Sequence, residues 1–261
     1  MAEGDSKGLK LLFVGGFLGA GKTTLLAKAA RLAAKRGLRV GMITNDQATG
    51  LVDTKLLKGE AKKVSEISGG CFCCRIDDLI EALNSLAASQ VDIILAEPVG
   101  SCTDIVATVL LPLERDFKGK FDLGPFSVLV DPRRLKLVIE GKGEKALPTN
   151  ILYIYAKQLE EADRILINKA EIYRPEFIHS LQVKLTELFP KKKVSAISAL
   201  TGIGVEAWLE EVIKERTAFC KVCDLNYKIY AQGEALLGWL NATANFSLRS
   251  KFDIRKLIDH L

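Results

Sequence analysis

The stretch that most narrows what this chain can become is Leu11-Leu12-Phe13-Val14 running into Gly16-x-x-x-x-Gly21-Lys22-Thr23. The four apolar residues suit a buried strand. After the glycines, Leu25, Leu26, Ala29, Leu32 and Ala33 mark one face of a helix that Gly37 ends. A Walker A motif set between a strand and a helix is a phosphate-binding loop. Its glycines let successive backbone N–H groups surround a polyphosphate, and the helix presents its positive end to the same charge. Gly16, Gly19, Ala20, Gly21 and Thr24 are expected to form the cradle. Lys22 is expected to reach the β- and γ-phosphates, and Thr23 to offer its hydroxyl to Mg²⁺. A glycine-rich turn without a ligand is the alternative, but strand, glycines, Lys-Thr and helix agree on the loop.

With 261 residues, 48% of them hydrophobic, the chain has room for one large domain, or one domain and part of a second. The opening MAEGDSKGLK has no apolar signal region, and no apolar run is long enough to cross a bilayer, so a cytoplasmic protein without membrane contact is expected. The net charge of +5, from 37 basic and 32 acidic residues, is mild. The one dense basic run, Lys191-Lys192-Lys193 after Pro190, reads as a solvated turn rather than a nucleic-acid surface. Six cysteines, three of them in Cys71-Phe72-Cys73-Cys74, make a poor disulfide framework and fit metal or redox chemistry better.

A second buried strand over Leu38 to Thr44 ends in Asn45-Asp46. A carboxylate there, beside the phosphate loop, can hold a Mg²⁺ water or orient the attacking water, although Asn-Asp is also an ordinary turn pair. Residues 47–59 lack periodicity and suit a loop that orders around a γ-phosphate. Val64 to Ser68 then leads through Gly69-Gly70 into the cysteine loop and a helix marked by Ile76, Leu79, Ile80, Leu83 and Leu86. That position before a helix end is expected to lower the thiol pKa values and favour thiolate, the form that binds borderline cations. Cys71, Cys73 and Cys74 are too compact to surround an ion. They suit an open site of two or three sulfurs completed by another side chain, water or a partner, with buried cysteines or a redox pair as alternatives. The strand Val91 to Ala96 ends in Glu97-Pro98-Val99-Gly100. Glu97 is placed to hold Mg²⁺ through water, and the Gly100 N–H to meet the γ-phosphate.

Walker A, then Gly-Cys-x-Cys-Cys, then Glu-x-x-Gly, in that order, resembles the CobW/HypB/UreG family of SIMIBI-class GTPases, closest to its CobW-like branch. The resemblance covers roughly residues 9 to 215. It implies an α/β P-loop NTPase fold, a mostly parallel sheet with helices on both faces, over residues 1–216. Asn168-Lys169-Ala170-Glu171 resembles the guanine-reading Asn-Lys-x-Asp, with a longer acid at Glu171, and Ser198-Ala199-Leu200 resembles the last guanine-contacting loop. The exit Asn45-Asp46 looks more like the HypB and UreG branches. The family implies GTP hydrolysis to GDP, slow because no Gln follows Gly100, coupled to a transition-metal cargo of Zn²⁺, Co²⁺, Ni²⁺ or Fe²⁺. A client metalloprotein or cobalamin-related enzyme, and a homodimer, are implied in the same way. Two rivals stand beside the carrier: a GTPase gating a corrinoid enzyme by contact alone, and a non-catalytic redox sensor.

The remainder, 217–261, reads as a linker and the opening β-β-α of a reduced C-terminal α/β domain. Leu225, Tyr227 and Ile229 alternate as in a strand, Glu234 to Leu240 gives a second, and Asp253 caps a helix. Cys220 and Cys223 are a half-site for a soft metal or two incidental thiols. His179 and His260 have no neighbours that recommend them as ligands.

Overall fold

Strand β1, Leu9–Gly16, is apolar and buried on both faces, and this places it at the centre of the sheet. The computed structural model describes residues 8–46, 59, 61–143, 147–217, 222–237 and 255. The other strands are β2 (Val40–Asp46), β3 (Lys63–Ser68), β4 (Ile93–Glu97), β5 (Phe121–Leu123), β6 (Ser127–Val130), β7 (Arg164–Ile167) and β8 (Lys193–Ala196). They run in the order β3-β2-β4-β1-β6-β7-β8, every pair parallel, as expected. The short β5, not foreseen, pairs with Leu9 to Leu11 of β1, whose far end, Val14 to Gly16, pairs with β6.

A parallel sheet must be covered on both faces, and β1 divides its side chains accordingly. Leu12 and Val14 join one apolar cluster with α1 (Lys22–Lys35) and α7 (Val205–Lys214), through Leu25, Ala29, Trp208 and Leu209. Leu11 and Phe13 join the other, with α2 (Ile76–Ala88), a π-helical turn (Val106–Leu110) running into α3 (Leu111–Asp116), α5 (Thr149–Glu161) and α6 (Pro175–Leu188). Helix α4 (Pro132–Ile139) is on that side too, through the buried Leu135. Trp208 also donates its Nε1–H to Ser127 Oγ at 3.0 Å, so α7 is tied to β6 by a buried hydrogen bond as well as by packing.

The β-β-α reading of the C-terminal segment is corrected. Residues Tyr227–Ala235 form a helix, α8. Asn226 caps it, its Oδ1 accepting from Lys228 N at 3.1 Å and Ile229 N at 3.2 Å. Packing overrides the two-residue alternation: Tyr230 and Leu237 rest on the core, and Gly233 fits where a Cβ would come within 2.8 Å of Asn150 O on α5. Glu234 and Ala235, read as starting a second strand, end this helix. Leu236 caps the helix and Leu237 follows it, while residues 238–240, Asp253 and most of the switch-like stretch 47–59 lie outside the described residues. Among the described residues, no helix is long and apolar enough to cross a membrane.

Candidate functional site

The connection from β1 runs to β2 on one side, whereas the chain leaving β4 passes to β6 on the other side of β1, and a crevice forms at the carboxyl ends of strands whose connections diverge in this way. A cleft of about 400 Å³ lies there, lined by Gly19, Gly21, Lys22, Thr23 and Thr24 of the first loop, Thr44 and Asn45 of β2, Glu97 and Gly100 beyond β4, and Lys169. Gly19 and Gly21 hold φ of 73° and 97°, which side chains resist, so the loop curls tightly ahead of α1. Thr23 donates its hydroxyl to Glu97, 3.0 Å from each carboxylate oxygen, and Lys22 Nζ stands 3.9 Å from Oε1. Lys22 and Glu97 are only 7% and 8% exposed, so the ammonium and carboxylate are held by their surroundings. Hydroxyl and carboxylate oxygens meeting at one point are the hard donors that suit Mg²⁺, which fits this set. A Cβ on Gly100 would lie 2.7 Å from Leu18 Cδ2 and 3.0 Å from Lys22 Nζ, so the loop after Glu97 passes directly against the phosphate loop.

Gly16 and Ala20 do not line the cleft. Gly16 lets β1 approach Leu129 of β6, and Ala20 gives its carbonyl to Asn168 Nδ2 at 2.8 Å. Asn168 Oδ1 accepts from Ala199 N at 2.9 Å, so one carboxamide braces the first loop against the loop of Ser198 and Ala199, both buried. Lys169 reaches Asp131 Oδ2 at 2.8 Å. Burial opposes charge on Asp131, but the hydrogen bonds from Lys169 and from the Arg134 and Arg133 N–H groups hold its carboxyl below the usual range. Glu171 is exposed in the turn Ala170–Ile172, and Leu200 is exposed in the adjoining loop. Asp46 ends β2 opposite Ser68; its side chain lies outside the described residues.

Several residues that bear on the site carry no motif. Arg134 donates to Leu18 O at 2.8 Å and lies 5.0 Å above the Phe17 ring, clamping the phosphate loop from α4. Gln158 of α5 donates to both Gly100 O at 3.0 Å and Cys102 O at 2.9 Å. Glu161, one helical turn further, accepts from Thr103 Oγ1 at 2.9 Å and from the N–H groups of Asp104 and Val106 at 2.7 and 3.2 Å. Its burial pushes the carboxyl up to about 7 despite those donors.

Asn45 joins this cleft to the cysteine loop. Its Nδ2 donates to Ile67 O at 3.1 Å and to Gly70 O at 2.7 Å, and Gly70 immediately precedes Cys71. Phe72 is fully buried edge-on to Phe13, with ring centroids 6.1 Å apart, so the loop is anchored in the core, with Cys71 and Cys73 half-buried against it and Cys74 exposed. The sulfurs of Cys71, Cys73 and Cys74 lie within 4.8 Å of one another, and Cys71 and Cys74 are 3.3 Å apart. The expected common downward shift is corrected: only Cys71 is lowered, by hydrogen bonds from Cys102 and then Cys73, while Cys74 is raised by Cys71. Sulfurs this close share one ionisation rather than responding alike to a helix end. Cys102 is 5% exposed, and Cys71, Cys73 and its own burial push its thiol pKa well up. Cys223 is half-buried and Cys220 lies outside the described residues.

The sequence model described as CobW/HypB/UreG, nucleotide-binding domain, matches residues 10–196. The chain is 23% identical over 222 residues to "Zinc-regulated GTPase metalloprotein activator 1" of Dictyostelium discoideum, covering 71% of this chain and 45% of that protein. It is 35% identical over 239 residues to "Zinc chaperone CobW" of Pseudomonas aeruginosa, covering 77% of this chain and 61% of that one. The chain thus spans about half the length of the curated relatives it matches. The structure of HypB from Helicobacter pylori in complex with nickel superposes with a TM-score of 0.54 at 17% identity, covering 78% of this chain and 85% of that one, a likeness of fold.

Proposed function

The chain belongs to the CobW/HypB/UreG nucleotide-binding family, and on that premise we propose that it is a GTP-hydrolysing carrier of a divalent transition metal, zinc foremost, held on Cys71, Cys73 and Cys74 and passed to a client metalloprotein. Relatives named zinc chaperone and zinc-regulated GTPase support the reading. The observation that carries it is Asn45, which lines the nucleotide cleft and holds the carbonyl beside Cys71 with the same side chain.

In this reading GTP lies along the cleft with its γ-phosphate between Lys22 and Gly100, and Asn168, Lys169 and Glu171 favour guanine. Thr23, Glu97 and Asp46 would hold Mg²⁺, which supplies charge neutralisation at the phosphate oxygens. Water adds to the γ-phosphorus, the bond to the β–γ bridging oxygen breaks, and GDP and phosphate form. Lys22 stabilises charge on the oxygens in flight. Loss of the γ-phosphate frees Gly100, relaxes the loops on either side, and loosens the thiols.

The test is an anaerobic Zn²⁺ titration of the full chain, and of Cys73→Ser/Cys74→Ser, with GTP analogue, GDP and no nucleotide. Zinc is expected to bind tightest with the analogue, and zinc to tighten analogue binding by the same factor. Equal zinc affinity in all three states would end this reading. The 3.3 Å approach of Cys71 to Cys74 also favours a redox sensor, in which peroxide oxidises both thiols to a disulfide with release of two waters. Thiol-state mass spectrometry of the zinc-loaded and zinc-free chain separates the two.

A further inference from the structure

The phosphate loop contains a four-residue reversal whose middle peptide has two stable orientations. Ala20 N donates to Phe17 O at 3.0 Å, Leu18 keeps a negative φ and Gly19 holds φ of 73°, which together define a type II turn. A type I turn with the same ends would have the Leu18–Gly19 peptide rotated by about 150–170°. Glycine at the third position admits both forms. What selects between them lies outside the loop. Arg134 of α4 donates from Nη1 to Leu18 O at 2.8 Å, and its guanidinium rests 5.0 Å from the Phe17 ring centroid. Arg134 has no acidic ion-pair partner among the described residues, so its charge falls on that one backbone carbonyl. Leu18 and Gly19 line the cleft, and Arg134 does not. A Cβ on Gly19 would meet nothing within 4 Å, so this corner of the loop stands open.

We propose that Arg134 is a positioning residue for GTP hydrolysis, acting on the phosphates through the Leu18–Gly19 peptide. In a planar trans peptide the C=O and N–H point in opposite directions, so a carbonyl drawn toward α4 turns the Gly19 N–H toward the cleft. The charge-assisted hydrogen bond also polarises the peptide, which makes that N–H a stronger donor to phosphate oxygens. The turned-over peptide would set a carbonyl oxygen in its place and repel them. Gly19 adjoins the reacting end of the triphosphate: Leu18 N and Lys22 Nζ stand 3.1 and 3.0 Å from one point, the place of a Cβ on Gly100. The proposal rests on the GTP-hydrolysing reading and adds to it a cation that touches no phosphate. Its effect grows as charge gathers on the oxygens in the transition state, so it bears more on turnover than on binding.

The experiment is nuclear magnetic resonance on the full chain labelled with ¹³C-carbonyl leucine and ¹⁵N glycine, which marks three peptides, Leu18–Gly19, Leu123–Gly124 and Leu237–Gly238. When wild type takes up Mg²⁺ and a GTP analogue, the Gly19 amide proton is expected to move downfield, with Gly124, bonded to Leu11 O at 3.0 Å, as a fixed reference. In Arg134→Ala that shift is expected to be lost. Single-turnover GTP hydrolysis by the variant should fall about tenfold to a hundredfold, with the analogue Kd rising by less. Should Arg134→Ala fail to fold, Arg134→Leu keeps packing over Phe17 without a donor and is read in the same way. A Gly19 shift that survives in the variant, wild-type turnover, or a loss of analogue affinity as large as the loss of turnover would overturn the proposal while leaving the hydrolase standing. A wild-type chain that does not hydrolyse GTP would overturn the hydrolase reading itself, and this shows before any variant is compared.

Discussion

Replacing Asn45 by Ala should separate the two sites while leaving each intact. The side chain makes two hydrogen bonds, at 2.7 and 3.1 Å, with a net value of about 0.5–1.5 kcal/mol each, so about 1–3 kcal/mol is at stake on the donor side. Its Oδ1 is buried with no partner, and removing an unsatisfied oxygen returns about 1–3 kcal/mol. The two nearly cancel, so the melting temperature of Asn45→Ala should move by only a few degrees. The link between cleft and thiols has no such offset. A coupling of about 1–3 kcal/mol corresponds to a ratio of about 5–150 between zinc Kd values with GDP and with GTP analogue. That ratio should fall severalfold toward one in the variant, with the nucleotide-free zinc Kd close to wild type. Paired calorimetric titrations measure it. A variant that keeps the wild-type ratio would refute Asn45 as the connector.

Gly100→Ala sets a methyl 2.7 Å from Leu18 Cδ2 and 3.0 Å from Lys22 Nζ, and overpacking of about 1–3 kcal/mol should weaken GTP-analogue binding about tenfold or more relative to GDP; equal losses for both nucleotides would count against a γ-phosphate role for this loop. Burial raises Glu161 from 4.5 to about 7, so the folded chain keeps a proton that the unfolded chain has released. Its contribution to stability is therefore full below pH 4.5 and lost as pH rises toward 7, by up to about 3 kcal/mol at about 1.4 kcal/mol per unit. Urea midpoints of Glu161→Gln should be flatter than wild type across that window, and parallel curves would refute the assignment. Trp208→Phe removes the buried bond to Ser127 and should cost about 1–3 kcal/mol in denaturant unfolding with nucleotide affinity unchanged; a tenfold affinity loss at wild-type stability would contradict a purely structural role.

The sheet was legible because parallel strands buried on both faces need unbroken apolar runs, and Leu11 to Val14 and Val91 to Ala96 supply them. The glycine and lysine positions of the first loop were legible because their chemistry depends on local spacing. Contacts made across the fold leave no local trace. Asn45 read as half of a turn pair, and Gln158 belongs to no motif, yet both hold loop carbonyls far away in sequence. The C-terminal segment misled because Leu225, Tyr227 and Ile229 fit a period of two, whereas the cap at Asn226 and the glycine notch at Gly233 decide for a helix. A polar cap followed by aromatics was the signal available there.

Gln158 presents one nitrogen to two carbonyls, those of Gly100 and Cys102, from a helix that does not itself enter the cleft. The three-residue segment between those carbonyls therefore works like a yoke on a fixed pin. Tilting one arm obliges the other to swing, because the shared donor cannot follow both outward at once. Whatever guest settles at either arm inherits a stake in the other's posture, and the pin rather than the arms sets how far they travel.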